Sequence, residues 1–211
     1  MFLLLCLFNS GAFAHEVVLE LDKMSGYKAA RVYLEMGYKH ILPLGFDHIL
    51  FVLSLFLLST KLKTVLWQSL TFTIAHSVTL GLAMYGVIRP PSQIVEPLIA
   101  ISIVYVALEN IFSPRLKASR IGVVFLFGLV HGMGFAGALS GLGLPDGSFA
   151  VSLVMFNVGV ELGQLTVILL AWYLMAKWVG DKSYYRKYLV IPLSTIIAMV
   201  AVYWTIERIF L

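Results

Sequence analysis

Ionisable side chains occur inside the apolar stretches of this chain, where they are energetically costly. Asp47 and His48 lie at the start of the first long apolar stretch. His76 and His131 lie near the middle of the second and fourth stretches, and Glu161 lies in the fifth. Imidazole and carboxylate ligands suit Ni²⁺, Co²⁺, Zn²⁺ or oxidised copper. Because such groups face a protein interior rather than lipid, these five residues predict a site for a divalent transition metal between the apolar segments.

A second set of polar residues accompanies the first. Asn157, Glu161 and Gln164 are spaced i, i+4 and i+7, which places them on one face of a helix. For Asn157 and Gln164 the sequence leaves two roles open, in the metal site or in hydrogen bonds that hold helices together. Because Lys and Arg occur only near the ends of the stretches, we expect a metal ion or protons to neutralise the carboxylates. The secondary candidates are His40, Glu109, Asn157 and Gln164.

Small residues flank His131. The pairs Gly128 with Gly132 and Gly137 with Gly141 both have the GxxxG spacing, which allows close approach of helices in membranes. The sequence therefore predicts close packing of this segment against a neighbour. The alternative is a helix broken at these glycines, whose backbone lines a cavity.

The elements that carry these residues are predicted to be membrane-spanning helices. Hydrophobic residues make up 60% of the 211-residue chain and charged residues 12%, outside the usual range of soluble domains. Each apolar stretch has about the 20 residues that a helix needs to cross a bilayer, and backbone groups in lipid must be satisfied within the segment. The predicted fold is all-α and polytopic, with six transmembrane helices over 41–60, 64–87, 95–113, 120–143, 149–176 and 188–210.

The N-terminus has the features of a secretory signal. An apolar run precedes Ala12-Phe13-Ala14, which fits the small-x-small rule for cleavage after Ala14. Residues 1–14 are therefore a predicted signal peptide, 15–40 an extracytoplasmic pre-domain, and 41–211 the six-helix membrane domain. Within the pre-domain, residues 15–22 alternate like a strand and residues 27–37 have helical spacing. The single cysteine, Cys6, excludes a disulfide or a thiolate cluster in the mature chain.

Charge predicts the orientation. With residue 15 outside, the outer loops between spans carry only Arg89, whereas nine basic residues fall on the inner side. This bias follows the positive-inside rule and predicts a bacterial inner-membrane protein whose mature N-terminus lies outside the cytoplasm. The sequence has no basic face with interleaved aromatic residues, so it gives no indication of nucleic-acid binding. The inner basic residues are Lys61, Lys63, Arg115, Lys117, Arg120, Lys177, Lys182, Arg186 and Lys187.

Several segments resemble the HupE/UreJ family of membrane proteins. They are GFDHILFVLSLFLL, FTIAHSVTLGLA, VEPLIAISIVYVALEN, FGLVHGMGFAGAL and FNVGVELGQL, in that order between about 40 and 164. The resemblance implies six spans, a cleaved signal and a nickel or cobalt permease, often accompanying hydrogenase or urease and hence a nickel-enzyme maturation system. The family's first motif maps onto Gly45, Asp47 and His48, and its second onto His131 and Gly132. His40 lies one residue further from Asp47 than the first histidine of the family's motif does.

These features predict a route for a metal ion. The ion would meet His40, Asp47 and His48 at the outer mouth and then pass to His76, His131 and Glu161 near the midplane. The alternative is an intramembrane zinc-dependent hydrolase that uses the same cluster to activate water, although no H-E-x-x-H or G-x-S-x-G motif is present. A third alternative is a metal sensor or chaperone that uses His15. The sequence leaves the metal and the oligomeric state open.

Overall fold

The computed structural model describes residues 26–113, 115–140, 149–180 and 182–210, and this part of the chain is all-helical. The predicted signal peptide, the strand-like residues 15–22 and Gly141 lie outside it. The helices are α1 Gly26–Ile41, α2 Phe46–Leu58, α3 Leu62–Met84, α4 Ser92–Phe112, α5 Arg120–Ser140, α6 Phe149–Ala171, α7 Lys177–Val179 and α8 Ile191–Phe210. A π-helical segment, Trp172–Ala176, joins α6 to α7, and a second, Arg186–Val190, leads into α8.

The chain bends sharply between α1 and α2. The axes of Tyr27–Ile41 and Phe46–Leu58 differ by 67°, and the intervening turn brings the end of α1 against the start of α2. Gly45 permits this turn, because a Cβ atom there would collide with the carbonyl oxygen of His40. The prediction of one helix over 41–60 is therefore wrong at its start, because Ile41 ends α1 and the second helix begins only at Phe46. The 13 residues of α2 are about 20 Å long, shorter than a bilayer's apolar core of about 30 Å.

Within the described residues, three helical segments are long and apolar enough to cross a membrane, and the bent pair would add a fourth if it is counted as one span. The three are Ser92–Phe112, Phe149–Val179 and Arg186–Phe210. Although α3 has 23 residues, it buries Gln68, Ser69, Thr73, His76 and Thr79. Its polar side chains therefore lower its apolar character and face the other helices.

Glycines lie where helices touch. A Cβ on Gly128 would meet the Phe72 carbonyl of α3, and one on Gly132 would collide with the His76 carbonyl. The α3–α5 contact therefore depends on small residues at both positions, and α5 runs unbroken over Arg120–Ser140. The surroundings of Gly137 and Gly141 fall outside the described part of the chain.

A second glycine contact joins α1 to α6. A Cβ on Gly37 would collide with the Phe156 carbonyl, and one on Gly159 would collide with the Leu34 carbonyl. The buried side chains of Tyr33 and Ile41 belong to the same apolar cluster as residues of α6. Part of the predicted pre-domain thus packs as a helix within the bundle.

A candidate metal site

Four imidazole side chains from four different helices converge. The ring centroid of His48 (α2) lies 4.7 Å from that of His40 (α1), 5.8 Å from that of His76 (α3) and 5.2 Å from that of His131 (α5). Ligand nitrogens of His40, His48 and His76 all lie within 4.8 Å of one another. We call His40, His48, His76 and His131 the imidazole cluster.

The Nε2 atoms of the imidazole cluster share one property. All four are buried, and none has a hydrogen-bond partner within the described residues. A buried polar atom without a partner is costly and is rare in folded proteins. Unpartnered Nε2 atoms on four adjacent imidazole rings are expected where a metal ion or a proton completes their bonding; nitrogens of three of the rings, those of His40, His48 and His76, lie within 4.8 Å of one another.

The opposite ring nitrogen is held in two of the histidines. Nδ1 of His131 lies 2.8 Å from the Phe127 carbonyl, and Nδ1 of His76 lies 3.3 Å from Oδ1 of Asn157. The Asn157 amide donates through Nδ2 to the Leu153 carbonyl, so its oxygen faces His76. Both Nδ1 atoms therefore act as donors in neutral imidazole, which leaves the Nε2 lone pairs free to bind a metal.

Aromatic side chains surround the imidazole cluster. The Phe135 ring lies 3.9 Å from that of His40, and the Phe72 ring lies 4.9 Å from that of His131. The Phe51 ring lies 5.3 Å from His131. These aromatic rings form an apolar lining around the imidazole cluster. In an apolar surrounding, the interaction between the imidazole lone pairs and a bound cation is stronger than in water.

The structure corrects the location predicted for His40. We expected His40 at the outer mouth together with His48, ahead of His76 and His131, but all four belong to the imidazole cluster. The reason is the turn before Phe46, which folds the last turn of α1 back onto the first turn of α2. The three sequence-predicted histidines, His48, His76 and His131, lie in the same cluster.

Two of the carboxylates have cationic partners, contrary to the expectation that no fixed cation neutralises them. Both oxygens of Asp47 accept from Nη2 of Arg208 at 3.0 Å, so Asp47 pairs with the end of α8. Glu109 accepts from Nη1 of Arg120 at 3.0 Å. Arginine at a span end can reach a carboxylate of another helix because its side chain is long.

The remaining candidates lie along the α3–α6 contact. Oε2 of Glu161 accepts from the Thr73 hydroxyl at 2.5 Å, and Oε1 of Gln164 accepts from the Ser69 hydroxyl at 2.7 Å. With the contact between His76 and Asn157, these pairs form three successive polar layers. Glu161 therefore lies one layer away from the imidazoles instead of among them.

Sequence reasoning missed the buried role of Arg120. Its side chain is 1% exposed, and Nε donates to Gln68 while Nη1 also donates to Asn110. Nη2 donates to the Ser54 carbonyl. The interpretation of Arg120 as a loop charge was wrong. The sequence signals for its pairing with Glu109 were its position before an apolar run and the presence of Glu109 in a neighbouring segment.

The chain has apolar helices of spanning length with buried imidazoles between them. These features place it among the helical membrane proteins, with a candidate metal site. The chain belongs to the HupE / UreJ protein family, whose sequence model matches residues 16–208. This confirms the resemblance seen in the motifs. No curated protein and no solved structure gives a significant match.

Proposed function

We propose that this chain is a permease for a divalent transition metal of the nickel or cobalt type, and that the imidazole cluster binds the ion inside the membrane. The observation that carries the proposal is the convergence of four imidazole rings whose buried Nε2 atoms have no hydrogen-bond partners among the described residues. Membership of the HupE / UreJ family supports a role related to nickel or cobalt. A nickel-enzyme maturation system would then be the consumer of the ion.

The ligand chemistry fits a transported ion. Imidazole binds Ni²⁺, Co²⁺, Cu²⁺ and Zn²⁺ well, and conduction requires binding that favours entry while still allowing exit. Neutral imidazoles add no negative charge, so they bind a divalent ion less tightly than a cluster of thiolates. A divalent ion that crosses the whole field inward gains about 4–5 kcal/mol per 100 mV.

The membrane arrangement is part of this proposal. We propose six spans, the first of them the bent pair of α1 and α2, with a cleaved signal over residues 1–14 and location in a bacterial inner membrane with the mature N-terminus outside. Support comes from contacts at the helix ends. Arg208, at the end of α8, donates to Asp47 at the start of α2 and to the Glu96 carbonyl near the start of α4, as expected when α8 runs antiparallel to both.

The second candidate is a zinc-dependent hydrolase. The observation in its favour is the group of three histidines within 4.8 Å, because three imidazoles and an open position activate water on Zn²⁺. Such an enzyme also needs a general base near the metal. Asp47 is bound to Arg208 and Glu161 to Thr73, so the permease fits the described residues better.

Uptake by reconstituted protein tests the proposal. We expect proteoliposomes that contain the protein to accumulate Ni²⁺ or Co²⁺, measured with a metal-sensitive dye sealed inside. Uptake falls to the level of empty liposomes in His48→Ala and His76→Ala, because each substitution removes a ligand from the imidazole cluster.

His15→Ala is the matched control, since His15 is the one histidine outside the imidazole cluster, and its uptake stays at the wild-type rate. Tightly bound Zn²⁺ that does not exchange, with no flux of any metal, contradicts the permease and favours the hydrolase. Loss of uptake in His15→Ala alone would instead point to a metal-sensing N-terminus.

A further inference from the structure

Glu161 is a carboxylate between helices that lacks the kind of partner its counterparts have. Asp47 pairs with Arg208 and Glu109 pairs with Arg120. Within the described residues Glu161 contacts only hydroxyl donors, those of Ser69 and Thr73. Because a paired charge or a metal stabilises an ionised carboxylate between helices, Glu161 offers a ligand position to a cation.

One oxygen of the Glu161 carboxylate lacks a short hydrogen bond from a hydroxyl donor. Thr73 donates to Oε2 of Glu161 at 2.5 Å. The Ser69 hydroxyl lies 3.4 Å from Oε1 of Glu161 but 2.7 Å from Oε1 of Gln164. A serine hydroxyl has a single hydrogen to donate, and the shorter contact takes it. Oε1 of Glu161 therefore retains free lone pairs.

The neighbouring amide also has an unused polar atom. Gln164 is fully buried, and its Nε2 has no partner within the described residues. Amide oxygen and nitrogen exchange places by a half-turn of the group. After that half-turn Nε2 donates to the Ser69 oxygen, and Oε1 of Gln164 becomes free to bind a cation. The Ser69 hydrogen then points to Oε1 of Glu161, which keeps a further lone pair for the same cation. Two oxygen ligands, one of them charged, would then lie side by side.

This oxygen set lies next to the imidazole cluster. Thr73 precedes His76 by three residues on α3, and Glu161 follows Asn157 by four on α6. Each step is about one helical turn, or about 5.4 Å. The direction is toward Gln68 and Arg120, which lie at the start of α3 and of α5. An ion that leaves the imidazoles toward this end meets Glu161 next.

We infer that Glu161, Gln164, Ser69 and Thr73 form a second cation station, which takes the divalent metal from the imidazole cluster through oxygen ligands. The inference rests on the proposed function and adds a separate site of different donor chemistry to it. Oxygen ligands hold late transition metals less firmly than imidazole, which suits a station from which the ion departs.

Counting bound Co²⁺ tests the second station. We expect purified full-length protein in detergent to bind two Co²⁺ per chain by equilibrium dialysis, one of them with the visible absorption of imidazole ligation. Glu161→Gln retains that ion and loses the other, whereas His48→Ala loses the imidazole signal and retains the oxygen-bound ion. Thr73→Val, which keeps the side-chain shape, weakens the second ion about tenfold.

Glu35→Gln is the control, because Glu35 is an exposed carboxylate that pairs with Lys39, and this variant keeps both ions. The retained imidazole absorption shows that Glu161→Gln is folded. A wild-type protein that binds one Co²⁺, or a Glu161→Gln variant that binds two, overturns the inference without affecting the permease. If uptake depends on Glu161 while one ion binds, Glu161 carries a proton and the inference is wrong. If His48→Ala keeps the imidazole signal, the proposed function fails instead.

Discussion

At the scale of single residues, Asn157 is placed to orient His76. Its Oδ1 lies 3.3 Å from Nδ1 of His76, and its Nδ2 is held by the Leu153 carbonyl. Partners of this kind fix the tautomer and direction of a ligating imidazole, and their loss weakens metal affinity about 10–100-fold. We expect Asn157→Leu to weaken Ni²⁺ binding by that factor, measured by isothermal titration calorimetry in detergent.

The exposed amide Gln93, in the first turn of α4, provides the comparison. Gln93→Leu should bind Ni²⁺ as the wild type does. Equal affinities for Asn157→Leu and the wild type would mean that His76 is not a ligand or needs no orienting partner.

Part of the site could be predicted from residue types alone. His48, His76 and His131 stand out because each interrupts an apolar run, and this local contrast is visible without a structure. The partner of Asp47 was not visible, because Arg208 is 161 positions away and nothing local links the two. His40 was misplaced because its position depends on a turn of the backbone, not on its own neighbours in sequence.

Among the helices, Arg120 joins four of them at one end of the bundle through its hydrogen bonds. Its guanidinium donates to Gln68 of α3, to Glu109 and Asn110 of α4 and to Ser54 of α2. Removing one member of a buried ion pair leaves the other charge uncompensated, at a cost of about 3–5 kcal/mol. We expect Arg120→Gln to lower the free energy of unfolding by about that amount, measured by chemical denaturation in mild detergent.

Arg115 is the matched arginine, because it is exposed in the same connection between α4 and α5. Arg115→Gln should change the unfolding free energy by less than about 0.5 kcal/mol. Equal losses in the two variants would show that the contacts of Arg120 add nothing to stability.

The contact between α3 and α5 sets the spacing of two imidazoles. A Cβ on Gly132 would collide with the carbonyl of His76 and crowd Thr79, so Gly132→Ala must push the two helices apart. We expect this variant to lose both thermal stability and Ni²⁺ affinity, because His76 and His131 separate. Thermal unfolding with and without Ni²⁺ measures both effects.

Gly122 lies on the same helix, and a Cβ atom added there would have nothing within 4 Å. Gly122→Ala should be neutral or stabilise the helix by up to about 1 kcal/mol. A Gly132→Ala variant that keeps its metal-induced shift in melting temperature would contradict the role given to this helix contact.

Helix positions could be predicted from the sequence to a useful degree. The apolar stretches over 64–87, 95–113 and 120–143 contain most of α3, α4 and α5. The break before α2 was missed because Leu42 and Leu44 continue the apolar pattern through the turn. Pro43 and Gly45 were the local signal, and they do mark the start of α2, whose N-cap is Gly45. The end of α1 at Ile41, just before them, was not predicted.

At the scale of the whole molecule, the distribution of charge predicts which end faces the cytoplasm. Without the buried Arg120, eight of the predicted inner basic residues remain against Arg89 outside, so the bias persists. Gln93, in the first turn of α4, and Lys182, in the connection that precedes α8, are exposed and lie on opposite predicted sides. In a Cys6→Ser background, a membrane-impermeant maleimide added to whole cells should label Gln93→Cys and not Lys182→Cys.

Labelling after cell lysis is the control, in which both cysteines should react. The reverse pattern in whole cells would invert the proposed orientation, and labelling of both would contradict an odd number of spans between them.

The proposed function requires that the imidazole cluster binds a divalent ion. X-ray absorption of the purified protein loaded with one equivalent of Ni²⁺ tests it most directly, because multiple scattering from imidazole rings identifies histidine ligands. We predict a spectrum with at least three imidazoles around Ni²⁺, reduced in His48→Ala. Oxygen ligands alone around Ni²⁺, without imidazole scattering, would show that the imidazole cluster does not bind the ion.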